Sequence, residues 1–324
     1  YQEVSTLFPL KASDLAVDVG SNDGTLLSNF QKGGHRVFGI EPTNAGKLAI
    51  ERGIPTLISF LNQQAVAKVI AEVGRARIVT ATNVFAHIEN VGDVVSCIKG
   101  LMADDGIFIN ESHYWLALLQ TMQYDTIYHE HLRYYSLTAL KYLLETNGLE
   151  PFRAKRIPTH GGSIRVYAAP KGRYPVHESV AAILAEESRE LTPARFADFR
   201  RGVVASKLEL LALLRDIKGR GEHVYGVGAP SRASTLINYV GLDDGILDCV
   251  LEIKGSYKIG KYIPGTLVPV IEEDRLFQDQ PAYALLLSWH IADELIPKLK
   301  SRGYRGDFIV PLPRPHIIKS QDVS

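Results

Sequence analysis

Cysteine is scarce in this chain: Cys97 and Cys249 are the two in 324 residues. Two are too few for a disulfide framework or a cysteine-built zinc site. Both lie in apolar surroundings, so buried thiols and a reducing, cytoplasmic compartment are expected. Net charge is also missing. The 36 basic and 36 acidic side chains cancel, leaving no basic field to attract nucleic acid or an anionic membrane. No apolar run approaches the ~20 residues of a membrane span, and no secretory leader pattern opens the chain. The chain begins at Tyr1 without an initiator methionine, as expected of a trimmed chain or of a unit from within a longer protein. Its 46% hydrophobic and 22% charged composition fits a globular protein, long enough for two domains that each bury a core.

What is present centres on residues 15–27, LAVDVGSNDGTLL. An apolar run carrying Asp18 leads into Gly20, three small or polar residues, Gly24 and a helical pattern: a buried strand, a tight turn and a helix start. Gly20 is expected to free the backbone for the turn and Gly24 to let the helix start lie close to a ligand. A dinucleotide fingerprint needs G-x-G-x-x-G. This loop is D-x-G-x-x-x-G, with Ser21 after the first glycine and Asn22 where the second would stand. It resembles the loop of class I S-adenosylmethionine-dependent methyltransferases, whose ligand has no pyrophosphate. A second strand at 35–40 ends in Glu41, 17 residues past Gly24, where an acid can accept from both ribose hydroxyls. In the turn after a short strand at 55–58, Phe60 or Leu61 is placed for an adenine face and Asn62 for its edge. A strand at 77–81 runs into Asn83 and His87, polar residues at a carboxyl end that faces a ligand crevice. After a helix at 93–102, Asp104-Asp105-Gly106 reads as the turn before a strand at 107–111. This alternation predicts an α/β fold with a parallel, doubly wound sheet.

Residues 124–135, YDTIYHEHLRYY, crowd four tyrosines, two histidines and two acids into twelve positions. Neither a helical nor a strand period explains them, and titratable groups walled by aromatics are what acid–base sites contain. Two alternatives stay open: a tyrosine-rich lid, or metal binding by His129 and His131 alternating around Glu130 on a strand. A helix at 137–147 and strands at 152–157 and 163–168 follow, the strands joined by Pro158-Thr159-His160-Gly161-Gly162.

Residues 1–170 are thus expected to form a donor-binding domain, 171–220 a bridge of two long charged helices, and 221–324 a smaller Rossmann-like α/β domain. The last opens on a second glycine loop, Gly226-Val227-Gly228-Ala229-Pro230. Ser231 and Arg232 at its helix start suit a diphosphate, because free amides and a guanidinium converge there. Lys258, Lys261 and Tyr262 are candidates for the same cleft. A purely structural second domain is the competing expectation.

The succession VDVGSNDGTLL, GIEP, NVFAHI, YDTIYHEHLRYYS and PTHGGSIRVYAA resembles the sugar-nucleotide C-methyltransferases of deoxysugar pathways, over residues 15–315. The resemblance implies a transferase that methylates a carbon of a nucleotide-linked keto sugar, with S-adenosylmethionine as co-substrate and no metal in these residues. It implies that Tyr128, Glu130 and His131 form the catalytic cluster with His87 beside it, and that Gly20, Glu41 and Asn83 contact the donor. Asp18, Asn22, Gly24, Phe60 and Asn62 complete the expected donor site, and His160, Gly161 and Gly162 join the substrate site. The cysteine-rich zinc domain with which the family usually begins is not found in this sequence. The expected chemistry is removal of a proton beside a ketone. His131 is expected as the base, since histidine titrates near neutrality, with Tyr128 as its rival, Glu130 orienting the imidazole, and His87 or Tyr128 supporting the oxyanion. An oxygen or nitrogen methyltransferase on another small molecule, and a non-catalytic nucleotide-sugar-binding protein, are the other function classes. A monomer is expected.

Overall fold

The structure is a computed structural model describing residues 1–322. It divides into two compact units. One is made of Tyr1–Leu116 with Leu132–Glu190, the other of Ala117–His131 with the chain from Leu191 onward.

The first unit carries β1 (Leu15–Val19), β2 (Arg36–Ile40), β3 (Thr56–Leu57), β4 (Ala76–Thr82), β5 (Met102–His113), β6 (Leu149–Ile157) and β7 (Ser163–Pro170). They form one sheet in the order β3-β2-β1-β4-β5-β7-β6. β1 to β5 are parallel, and β7 is antiparallel to both β5 and β6. All five residues of β1 are buried, as expected of a parallel strand covered on both faces. The order reverses at β1, between β2 and β4, and residues after the carboxyl ends of these strands border the crevice where such sheets bind ligands. This is the doubly wound α/β sheet of the class I methyltransferase fold.

Two sequence expectations change here. Asp104-Asp105-Gly106 does not precede the strand. β5 already starts at Met102, and its pairing with β4 slips between Ala76 and Ile78, so these residues are absorbed as an irregularity of the ladder. Gly106 is required there because a Cβ would meet the carbonyl of Ala103 at 2.8 Å. A short helix not foreseen in the sequence, Gln2–Leu7, buries Val4, and Phe8 behind it packs edge-on against Phe152.

The second unit carries β8 (Val224–Val227), β9 (Cys249–Glu252), β10 (Val270–Glu272), β11 (Tyr283–Leu286), β12 (Asp307–Val310) and β13 (His316–Ile318), in the order β10-β9-β8-β11-β12-β13. All pairs are parallel except β12 with β13. The helices foreseen as a bridge divide between the units: Glu178–Glu190 belongs to the first, Pro193–Lys218 to the second. The latter starts where the Thr192 hydroxyl accepts the Arg195 amide at 3.2 Å with Pro193 in the first turn. It buries Ser206, Leu210, Leu214 and Ile217, spaced by three and four residues. Residues 117–131 are part of this unit because Tyr124 joins its core with Leu210, Leu236 and Trp289.

Candidate active site

In the first unit a cleft of about 1280 Å³ opens at the carboxyl ends of β1, β2 and β4. Gly20 turns out of β1 at φ 72°, its amide bonded to the Ile40 carbonyl at 2.8 Å, and Asn22 also takes a left-handed conformation at φ 51°. Glu41, 6% exposed, holds this loop: one carboxylate oxygen accepts the Asn22 amide at 3.0 Å and the other the Thr43 amide at 2.9 Å. Each oxygen keeps a lone pair for a further donor. Across the cleft Asn83 is left-handed at φ 56°, its amide bonded to the Glu111 carbonyl at 2.8 Å. Its Oδ1 and the Ser21 hydroxyl are shut away from solvent without a protein partner. Buried polar atoms without partners are rare in proteins, so a ligand rich in polar groups suits this cleft. Phe60 lies at its edge with 75% of its surface exposed, an apolar face ready for an aromatic base. Asn62 spends its carbonyl oxygen capping the helix Gln63–Val73 through the Ala65 amide. His87 also lines the cleft, in the short turn Phe85–His87.

Gly24 is a correction. It caps the helix Thr25–Lys32 at φ 78°, and a Cβ there would meet Ile54 at 3.0 Å and Ala49 at 3.2 Å. Its small size serves helix packing, not approach to a ligand.

Asp18 is buried beneath the loop and accepts the Thr80 hydroxyl at 2.6 Å. Burial, with the charge of Glu41 nearby, pushes its carboxyl up to about 7. Sequence reading missed Glu111 and Arg165, which border the same cleft. Arg165 donates to one oxygen of Glu111 from Nε and Nη2, at 3.1 and 2.9 Å. Their signal was available: Glu111 stands near the end of β5, as Asn83 follows β4. The Thr159 hydroxyl reaches the other oxygen of Glu111 at 3.2 Å, and His160, Gly161 and Gly162 follow with φ of 55°, 82° and 123°. His160 faces His113, ring centroids 5.6 Å apart.

The histidine-rich segment lies in the second unit, in a turn and not on a strand. The His131 imidazole is held at both nitrogens: Nδ1 is 3.1 Å from the Thr126 carbonyl and Nε2 3.0 Å from the Tyr128 hydroxyl. A carbonyl can only accept, so Nδ1 carries a proton, and in the neutral imidazole Nε2 then offers its lone pair. Tyr128 therefore donates to Nε2. Burial and the neighbouring charge of Glu130 raise the Tyr128 phenol above its ordinary range, keeping it protonated. The Thr126 carbonyl thus orients the imidazole, and the charge of Glu130 acts on the Tyr128 phenol. No group of three or more metal-ligating side chains is found among the described residues.

The expectation for Arg232 changes most. Its guanidinium, 7% exposed, grips Asp125 with two parallel bonds, Nε at 2.8 Å and Nη2 at 2.7 Å. It is therefore turned into the unit's interior and not offered to a diphosphate. Gly226 packs against Val250 and Leu287, and Gly228, at φ 83°, sits where a Cβ would meet the Ser288 hydroxyl at 2.6 Å. Ser231 is exposed at the helix start. Lys258 donates to the Ala229 carbonyl, Lys261 lies over the Tyr257 ring at 5.0 Å, and Tyr262 is 60% exposed.

Comparison with known proteins matches both halves of the chain. Residues 2–153 fit the family model of a methyltransferase domain, and residues 158–313 that of a C-methyltransferase C-terminal domain. The chain is similar to the C-methyltransferase NovU of Streptomyces niveus, 35% identical over 317 residues that cover 96% of this chain and 75% of that protein. A methyltransferase structure from Clostridium acetobutylicum matches 53% of this chain and 89% of its own at TM-score 0.42 and 13% identity. One from Anabaena variabilis matches 52% and 83% at 0.42 and 14%. On the match along almost its whole length, the chain belongs to the C-methyltransferase family and is an S-adenosylmethionine-dependent methyltransferase.

Proposed function

We propose that this enzyme methylates a carbon beside the ketone of a nucleotide-linked keto-deoxysugar, through an enolate formed by base-assisted proton removal. The observation that carries the reading is the hydrogen-bonded pair of Tyr128 and His131, with the imidazole fixed so that Nε2 faces the tyrosine hydroxyl and can serve as the base. An oxygen or nitrogen acceptor needs one base at most. A carbon acid needs a base and a separate donor for the oxygen on which charge develops. His131 and Tyr128 supply that combination. On substrate entry Tyr128 turns its hydroxyl to the ketone oxygen, and Nε2 takes the proton from the adjacent carbon. The enolate then carries the negative charge on oxygen and the nucleophilic character on carbon. S-adenosylmethionine, when bound, supplies an activated methyl group on a sulfonium. Glu41, Asn83 and Phe60 are the residues that would hold it.

The sugar-nucleotide part of the reading is supported by the resemblance of the motif succession. Lys261 and Tyr262, exposed on the loop after β9, would contact the nucleotide. The test is incubation with thymidine- and uridine-diphosphate 4-keto-6-deoxysugars and methyl-labelled donor, followed by product mass spectrometry and carbon NMR. A new carbon–carbon bond next to the ketone is the expected result. A methyl group found on oxygen or nitrogen, or no transfer to any of these sugars, would overturn it.

A further inference from the structure

The mechanism leaves a buried charged pair of the second unit, Asp125 and Arg232, unused. Asp125 is fully buried, and three donors converge on its carboxylate: Arg232 Nε at 2.8 Å, Arg232 Nη2 at 2.7 Å and the Trp289 indole N–H at 2.7 Å. Arg232 also lies over the Trp289 ring, 4.9 Å from its centroid, and its Nη2 reaches the Gln123 side-chain oxygen at 3.3 Å. A carboxylate so deeply buried is costly unless fully partnered, and here two side chains supply the donors.

Two residues past Asp125, the Ile127 carbonyl accepts the Thr235 hydroxyl at 3.2 Å. Arg232 and Thr235 both belong to the helix Ser231–Val240. One helix thus fastens the chain on both sides of Thr126, through the Asp125 side chain and the Ile127 backbone. The peptide between those anchors carries the carbonyl that holds His131 Nδ1. We propose that Asp125, Arg232 and Trp289 are positioning residues that fix the Thr126 carbonyl and, through it, the tautomer and orientation of the His131 base. The proposal deepens the reading of His131 given above. The glycine loop and helix of the second unit, which a nucleotide-binding protein would aim at phosphate, aim here at the segment bearing the catalytic pair.

The test reads the imidazole directly and needs no substrate. The full chain is labelled with ¹⁵N-histidine, and its ring nitrogens are followed by long-range ¹⁵N–¹H correlation. The His131 signal is assigned by its disappearance in His131→Asn. In the wild type it is expected as the single Nδ1–H tautomer. Asp125→Ala would strand a buried guanidinium and unfold the unit. The test therefore uses Trp289→Phe, which removes one N–H and keeps an aromatic ring, and Arg232→Lys, which keeps the charge and loses the paired bonds. In both, the Nδ1–H tautomer should lose ground by roughly fivefold in the tautomer ratio, the factor of one ordinary hydrogen bond. Circular dichroism should stay native and donor affinity unchanged. Wild-type tautomer ratios in natively folded Trp289→Phe and Arg232→Lys would overturn the positioning role. A tautomer shift without carbon methylation in any assay would instead leave this role standing and remove the proposed reaction.

Discussion

Glu41 takes the backbone amide of Asn22 at 3.0 Å, so the acid at the end of the second strand also holds the loop that follows the first. The second unit repeats the device. Glu252 ends β9 and accepts the amides of Ala229 at 3.3 Å and Ile253 at 3.0 Å. In each case the carboxylate accepts an amide of the glycine loop that follows the neighbouring strand. In Glu41→Gln the neutral side chain can still accept a loop amide, but the charge that strengthens hydrogen bonds from a ligand's hydroxyls is gone. Donor binding measured by calorimetry should weaken by about ten- to a hundredfold, the equivalent of a ~1.5–3 kcal/mol charge-assisted contact. Unchanged affinity would remove Glu41 from the donor site.

Asp18 makes stability depend on pH with a definite sign. Its carboxyl is raised from 3.8 to about 7 by burial, so the folded state holds a proton that the unfolded chain releases. The stabilisation linked to that proton is fully present below the unfolded value and shrinks as pH rises from about 4. It is lost once pH passes about 7. Asp18→Asn carries no charge to bury. Its melting temperature relative to wild type should therefore climb steadily across that window and level off above pH 7. A parallel pair of melting curves from pH 4 to 8 would show that Asp18 does not carry the linked proton.

How much was legible follows from how far each signal reaches along the chain. The turn at Gly20 and the acid at Glu41 are local: a strand, a glycine and a counted spacing suffice. Gly24 was misread because Ile54 and Ala49, which it packs against, are distant in sequence. Arg232 was misread for the same reason at larger scale. A guanidinium at a helix start invites an anion, and the anion turned out to be Asp125, 107 residues earlier. The turn signal of Asp104-Asp105-Gly106 was real but weaker than the ladder, since β5 is paired with strands on both sides. Nothing in chain order announces that residues 117–131 fold with the second unit. That assignment rests on Tyr124 and Asp125, whose partners come more than eighty residues later.

Glu187 offers a test of the first unit's stability away from the cleft. It is 1% exposed, and its carboxylate accepts the amides of Leu137 and Thr138 and the Thr138 hydroxyl, the last at 2.6 Å. Ser136 caps the same helix through the Ala139 amide at 3.1 Å, so the acid satisfies the two amides that Ser136 does not. Glu187→Ala leaves the buried Leu137 amide without its acceptor and the Thr138 amide to water, at a cost of about 1–3 kcal/mol. Calorimetric melting should fall by several degrees with donor affinity intact. A change under half a kcal/mol would mean that water replaces the acid.

The catalytic pair makes the last prediction. His131→Asn keeps a hydrogen-bonding side chain of similar reach but cannot take a proton, so turnover should drop by the ~10²–10⁴-fold typical of a lost general base. Tyr128→Phe removes the hydroxyl that donates to Nε2 at 3.0 Å and leaves the imidazole on the Thr126 carbonyl. If tyrosine serves the oxyanion, this variant should slow methylation yet still exchange the substrate's α-proton with deuterated solvent. His131→Asn should lose exchange altogether. The measurement is deuterium uptake into recovered sugar nucleotide, once with S-adenosylhomocysteine and once with no donor. The two conditions cover an enzyme that admits the sugar only after its co-substrate. The raised phenol of Tyr128 argues for this order of roles, because a tyrosine kept protonated near neutral pH is an acid before it is a base. Exchange that survives in His131→Asn and vanishes in Tyr128→Phe would reverse the assignment, making the tyrosine the base and the histidine its support.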